Sequence, residues 1–162
     1  MTIDEAAEFA RDARSLGKVV VLTNGCFDLL HVGHVRYLRA ARELGDALIV
    51  GVNGDASART LKGPGRPFVS AGERAELVGA LECVDAVCTF EWPTAIELVR
   101  RIAPHIYAKG GDYRDPDGGL SRLPEAKPAE EVGARVVLLP FVEGRSTSAL
   151  IARIRGQGWT AG

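Results

Sequence analysis

Residues Val19–Asp46 read VVVLTNGCFDLLHVGHVRYLRAARELGD, and this stretch decides the fold. Val19-Val20-Val21-Leu22 is continuous, apolar and β-branched, the composition of a parallel strand buried on both faces. Thr23-Asn24-Gly25 turns the chain, after which the apolar spacing changes to Val35, Leu38, Ala41 and Leu44, a helical stripe. The first turn of that helix carries His31-Val32-Gly33-His34, so two imidazoles stand at i and i+3 at a helix start. A strand, a glycine turn and a helix N-terminus together present unpaired N–H groups and the positive end of the helix dipole. Phosphate is the natural guest above such a strand.

Working outward, Thr2-Ile3-Asp4-Glu5 has capping-box spacing, and Ala6, Phe9, Ala10, Ala13 and Leu16 repeat on one face until Gly17. This predicts a first helix, over residues 1–17, lying on the sheet edge as a lid. On the other side, Ala47–Val52 reads as a second buried strand closed by Asn53-Gly54-Asp55. Leu61–Pro67, with two glycines, two prolines and two cations, reads as a loop able to move. Ser70-Ala71-Gly72-Glu73 predicts a capped helix to about Glu82, Val84–Phe90 a strand, and Thr94–Glu97 the cap of a helix ending before Pro104. His105–Lys109 and Arg135–Leu139 are the fourth and fifth strands, with a short helix near Glu125–Val132 between them. Ser146 or Thr147 caps a last helix with Leu150, Ile151 and Ile154 on its face. Strands alternating with helices imply right-handed crossovers and a parallel sheet covered on both faces. The expectation is a single α/β domain over residues 1–162 with a core at 18–155: a Rossmann-like three-layer fold with a five-stranded parallel sheet. Ligands of such sheets lie beyond the carboxyl ends of the strands, where His31, Asp112 and the Gly144–Ser148 turn should converge.

Composition narrows the function classes. A chain of 162 residues is one ordinary domain, and 20 Lys and Arg against 21 Asp and Glu leave a formal charge of −1. That charge supplies no global field for nucleic acid or an anionic membrane, so any phosphate site is local. No apolar run has the length of a membrane span, and Met1–Leu16 is acidic and amphipathic rather than a signal peptide, so a cytoplasmic protein is expected. Cys26, Cys83 and Cys88 have no CxxC spacing and read as buried thiols.

The HVGH arrangement, preceded by Gly25-Cys26-Phe27-Asp28, resembles the HxGH nucleotidyltransferase superfamily, which is cytidylyltransferase-like. Arg59–Gly63, Lys109–Tyr113 and Glu143–Ser148 agree with it in order, so the resemblance runs from Val19 to Ile154. The pattern is most similar to the heptose 1-phosphate adenylyltransferase branch, with glycerol-3-phosphate cytidylyltransferases as nearer relatives. Cytidylyltransferases of this kind carry RTEGIST where this chain has Phe141–Thr147, FVEGRST, a departure that favours the heptose branch. The resemblance implies transfer of AMP from ATP to a sugar 1-phosphate, with Mg²⁺ accompanying the nucleotide and a separate sugar kinase upstream. A homodimer or higher homo-oligomer is compatible with it.

The resemblance also distributes roles. His31 and His34 would bind the triphosphate and stabilise charge on the α-phosphoryl group, with Lys62 closing over the phosphates. Asn24, Gly25, Cys26, Phe27 and Gly33 would line the nucleotide. Gly144, Arg145, Ser146, Thr147 and Ser148 would hold phosphate at a second helix N-terminus, an arrangement the dipole argument supports independently. Asp28, Asn53, Arg74, Lys109, Gly111 and Asp112 are assigned to the substrate, Asp28 also as a tie of its turn. Arg74 is anomalous on physical grounds, because a cation in the first turn of a helix opposes the dipole and needs another justification. The histidine pair lacks the third ligand of a zinc site, so no protein metal ligand is assigned. No GxxxxGK[ST] loop exists for a P-loop kinase and no KMSKS stretch for a tRNA synthetase. Two alternatives stay open: cytidylyl transfer to glycerol 3-phosphate or another small phosphate, and a nucleotide-binding module without turnover.

Overall fold

The computed structural model describes residues 1–111, 122–140 and 146–156. Helix α1 (Ile3–Ser15) precedes β1 (Val20–Gly25), α2 (Val32–Arg42), β2 (Ala47–Asn53), α3 (Asp55–Lys62), α4 (Ala71–Gly79) and β3 (Ala86–Phe90). Then come α5 (Ile96–Ile102), β4 (Ile106–Gly111), α6 (Ala126–Glu131), β5 (Arg135–Pro140) and α7 (Thr147–Gly156). The five strands form one parallel sheet in the order β3-β2-β1-β4-β5, the Rossmann-like arrangement expected from the alternation.

Alternation of side chains along each strand divides the core in two. Val20, Leu22, Ile49, Cys88 and Tyr107 face α1, α5 and α6, whereas Val21, Leu48, Val50, Val52 and Ala108 face α2 and α4. This is why the strands read as unbroken apolar runs. Helix α1 lies on the first of these faces, beside α5 and over β3, the edge strand, as its expected place on the sheet edge requires. Its fully buried positions are alanines, Ala6 and Ala10, whose small side chains let the helix lie flat against the strands. Leu16, expected on its apolar stripe, caps the helix from outside and is 73% exposed.

Other boundaries differ from expectation, and the first is that β1 runs on through Thr23-Asn24-Gly25, paired with β2, where the glycine suggested a turn. Residues 55–62 form α3, so Lys62 ends a helix and does not sit in a loop. That helix takes a cap from outside itself: its Ser57 N–H donates to Glu91 Oε2 at 3.2 Å, a contact across 34 residues. Helix α4 stops at Gly79, and Leu81–Val84 is a turn closed by Val84 N–H to the Leu81 carbonyl at 2.9 Å. Thr94 does not cap α5, whose N-cap is Ala95 without a side-chain bond of its own. Glu125 supplies the acceptor instead, its Oε1 taking the Ala95 N–H at 2.8 Å.

The site is positioned by the place where the strand order reverses. Strand β1 pairs with β2 over six residues but with β4 only at Val21–Ile106 and Leu22–Tyr107. Beyond that point side chains join the two strands, because Asn24 Oδ1 accepts from Tyr107 Oη at 2.6 Å and from Lys109 Nζ at 2.8 Å. On the other face Thr23 Oγ1 and Tyr37 Oη are 2.6 Å apart, and Tyr37 Oη donates to the Ala108 carbonyl at 3.2 Å, tying α2 to both strands. Among the described residues no helix is long and apolar enough to cross a membrane.

Candidate active site

A cleft of about 640 Å³ opens at the carboxyl ends of β1 and β4. The end of β1 brings Asn24 and Gly25 to its floor, the turn after it brings Cys26 and Phe27, and the start of α2 brings His31, Gly33 and His34. Asn53 and Lys62 enter from the two ends of the β2–α3 segment, and Lys109 from β4. Ser146, Thr147 and Ser148 close the far side at the N-terminus of α7, where Ser146 Oγ accepts the Ala149 N–H at 3.1 Å. Residues separated by more than a hundred positions thus face one volume.

The histidines are held with care. His31 is the N-cap of α2, and its N–H donates to His34 Nδ1 at 3.3 Å, a capping contact in which an imidazole replaces the usual carboxylate. The rings stack with centroids 3.9 Å apart, and Phe27 meets His34 edge-on at 5.4 Å. Phe27 adopts φ +50, a left-handed conformation that costs a non-glycine residue about 1–2 kcal/mol. Burial of its ring to 5% exposure beside His34 offsets that cost and aims the turn at the cleft. Burial, then the neighbouring His31 and Lys62, lower the His34 pKa from 6.5 to about 4. His34 is therefore neutral at pH 7, and since Nδ1 accepts, its proton sits on Nε2 as a donor.

Lys109 is held by Asn24 and by Tyr107, and burial lowers its pKa while Glu125 and Cys26 counteract part of the effect. Cys26 lines the cleft, but burial raises its pKa despite Lys62, Arg74 and Lys109 nearby. It stays a thiol, not a nucleophilic thiolate.

Two residues assigned to substrate are turned into the frame. Asp28 accepts from Arg66 Nε, from Phe68 N–H at 2.7 Å and from Val69 N–H at 3.1 Å, which fixes the segment after α3. Burial would raise the Asp28 pKa, but these donors outweigh it and the carboxyl is held below its ordinary value. Arg74 is 0% exposed and donates to the carbonyls of Val69, Cys26 and Asn53 and to Asp55 Oδ1. Its cation satisfies three backbone carbonyls that converge behind the turn, which is the justification missing from the sequence. Neither residue lines the cleft. Gly111 ends β4, and Asp112, Gly144 and Arg145 lie outside the described residues.

Other residues at the cleft were not singled out by sequence. Tyr37 and Glu125 line it, as do Thr94 and Ala95. Tyr37 falls between the Val35 and Leu38 positions of a helical stripe, and Glu125 sits in a polar segment, so neither carries a local signal.

The sequence pattern of the cytidylyltransferase-like family matches residues 22–153, nearly the whole of this architecture. The chain belongs to the cytidylyltransferase-like family. Within reach of this family, the bifunctional protein HldE of Trichlorobacter lovleyi is 50% identical over 148 residues, covering 91% of this chain and 29% of the relative. HldE of Pelobacter propionicus is 48% identical over 151 residues, covering 93% of this chain and 30% of that protein. The cytidylyltransferase-like chain thus spans about three tenths of the length of these curated relatives. A crystal structure of the lipopolysaccharide core biosynthesis protein of Thermoplasma volcanium superposes with a TM-score of 0.61 at 28% identity, covering 78% of this chain and 98% of that one.

Proposed function

We propose that this cytidylyltransferase-like chain transfers AMP from ATP to a sugar 1-phosphate, D-glycero-D-manno-heptose 1-phosphate being the best candidate, with release of pyrophosphate. The observation that carries the reading is the cleft wall made by the N-terminus of α2, where a neutral His34, its Nδ1 taken by the His31 N–H, lines the cleft with His31 and Lys62. The N-terminus of α7, with Ser146–Ser148, faces the same volume. Two helix N-termini and a lysine suit a triphosphate.

The chemistry asked of these residues is a displacement at phosphorus. An oxygen of the acceptor phosphate bonds to the α-phosphorus while the bond to the β-bridging oxygen breaks and pyrophosphate leaves. A phosphate monoester is already ionised at neutral pH, so no general base is required. Nucleotidyl transfer then depends on positioning and on stabilising charge at the phosphoryl oxygens. In this reading His34 Nε2–H and the N–H groups that open α2 stabilise that charge, and Lys62 holds the outgoing phosphates.

In this reading magnesium would enter as an ion carried by the nucleotide. Among the described residues no group of three His, Cys, Asp or Glu could cage a metal. Mg²⁺ commonly keeps its waters and binds substrate phosphates, where it would neutralise the triphosphate charge.

Support for the acceptor comes from GCFDLLHVGH, LKGPGRP, AKGGDY and EGRSTS, which resemble the heptose branch, and from the HldE relatives. The lipopolysaccharide core biosynthesis neighbour agrees with a sugar nucleotide product. A kinase-class reaction must supply the sugar phosphate. The test is pyrophosphate release from each NTP against heptose 1-phosphate, hexose 1-phosphates and glycerol 3-phosphate with Mg²⁺. ATP with heptose 1-phosphate should turn over fastest. Turnover only with CTP and glycerol 3-phosphate would overturn the acceptor and base assignments while leaving nucleotidyl transfer in place.

A further inference from the structure

The cleft is not chemically uniform. His31, His34 and Lys62 reach it from α2 and α3, whereas the opposite wall, around the start of α5 and the approach to α6, presents Thr94, Ala95 and Glu125. Glu125 is 4% exposed and is the only acidic side chain lining the cleft among the described residues. A buried carboxyl repels a triphosphate, so this wall faces a part of the reactants that carries hydrogen-bond donors and no phosphate. Its geometry is fixed: Oε1 accepts the Ala95 N–H at 2.8 Å, which caps α5 and locks the carboxyl group in place. Among the described residues none donates a hydrogen bond to Oε2, which is not among the fully buried side-chain atoms left without a partner and so stays accessible at the cleft. Lys109 and Tyr107 lie near enough for Glu125 to shift both their titrations, Lys109 being tied to Asn24 on the cleft floor.

We propose that Glu125 is a specificity-determining residue, its Oε2 accepting hydrogen bonds from the hydroxyls of the acceptor sugar while Oε1 stays committed to Ala95. This rests on the sugar-phosphate reading above and deepens it by assigning the polyol end of the acceptor to the α5–α6 wall. Lys109, held on the cleft floor beside this carboxyl, limits the electrostatic cost of keeping an acid there. A small acceptor with fewer hydroxyls leaves Oε2 unsatisfied, and sites built to hydrogen-bond a hydroxyl discriminate strongly against substrates that lack it.

Glu125→Gln separates the two oxygens, because the glutamine carbonyl keeps the Ala95 bond while the amide nitrogen cannot accept from a hydroxyl. Glu125→Ala removes both. Binding of heptose 1-phosphate and of ATP is measured by calorimetry on the full chain, alongside melting temperature and pyrophosphate release. Glu125→Gln should keep the wild-type melting temperature and the ATP affinity within twofold while weakening heptose 1-phosphate binding about 10- to 100-fold, the size of a lost hydrogen bond to a charged group. Glu125→Ala should also melt lower. Wild-type binding without turnover would remove the proposed function and leave Glu125 in its place. An unchanged heptose 1-phosphate affinity in Glu125→Gln, a loss confined to ATP, or no binding of heptose 1-phosphate by the wild type would each overturn the assignment.

Discussion

Acidification should destabilise this protein through His34 in a way that one substitution can isolate. The His34 pKa lies at about 4 in the folded chain against 6.5 for the free side chain, burial being the largest cause and His31 and Lys62 adding to it. Between those values the unfolded chain binds a proton on His34 that the folded chain does not. The contribution is therefore fully present above pH 6.5 and is lost as pH falls toward 4. Linkage with these two values removes at most about 2 kcal/mol between pH 7 and pH 5. The ring borders an open cleft where water screens it, so about 1 kcal/mol is the expected size. Urea unfolding of the wild type and of His34→Asn at both pH values supplies the measurement. Asparagine Oδ1 stands where Nδ1 stood and keeps the bond from the His31 N–H, but asparagine does not titrate. The wild type should lose about 1 kcal/mol more than His34→Asn, since every other group cancels in the comparison. At pH 7 His34→Asn should also lower kcat about 10²- to 10³-fold, because the Nε2–H donor is gone. Equal losses in the two proteins on going to pH 5 would refute the neutral imidazole and with it the donor assigned to Nε2.

Lys62→Ala should raise the ATP KM or lower kcat with an unchanged melting temperature, since Lys62 is exposed at the end of α3 and makes no described hydrogen bond; unaltered kinetics would remove it from the site. Arg74→Met should destabilise by about 3 kcal/mol or more in urea, because the converging carbonyls of Cys26, Asn53 and Val69 lose a buried cation; a change below about 1 kcal/mol would contradict the framing role. Transfer from ATP with a chiral α-thiophosphate should invert configuration at phosphorus, as one displacement requires, and retention would reveal a nucleotidyl-enzyme intermediate that the unactivated Cys26 thiol does not support.

What could be read in the sequence follows the range of the interactions involved. The strands were legible because a sheet covered on both faces demands continuous apolar runs, and Val20–Leu22 and Leu48–Val50 supply them. Convergence of His31 with Ser146–Ser148 followed from topology, since parallel crossovers put every strand's carboxyl end on one side. Helix α3 was missed because eight residues carry too little periodicity, and its cap comes from Glu91 on the far side of β3. The cap of α5 was assigned to Thr94, whereas Glu125 makes it from 30 residues away. Arg74 was recognisable as an anomaly because it opposes a helix dipole. The carbonyls that resolve the anomaly come from three separate segments and cannot be paired from sequence spacing.

Under the proposed nucleotidyl transfer, the manner in which this cleft would meet phosphate bears on how it could turn over. Among the described residues its lining holds two lysines, Lys62 and Lys109, and Lys109 is bound to Asn24 near an acid. The rest of the attraction comes from a neutral imidazole, serine and threonine hydroxyls and two helix N-termini. Dipoles and neutral donors are oriented in advance, and their interaction strengthens most where charge grows on an oxygen they already face. A dense cluster of cations would instead bind ATP, the transition state and pyrophosphate alike, and such uniform binding lowers KM without raising kcat. Exposure of Lys62 at the end of a short helix is consistent with that logic, because an exposed cation on the outer wall can release pyrophosphate while the α2 turn, fixed by Arg74 and by the Asp28–Arg66 pair behind it, stays in place.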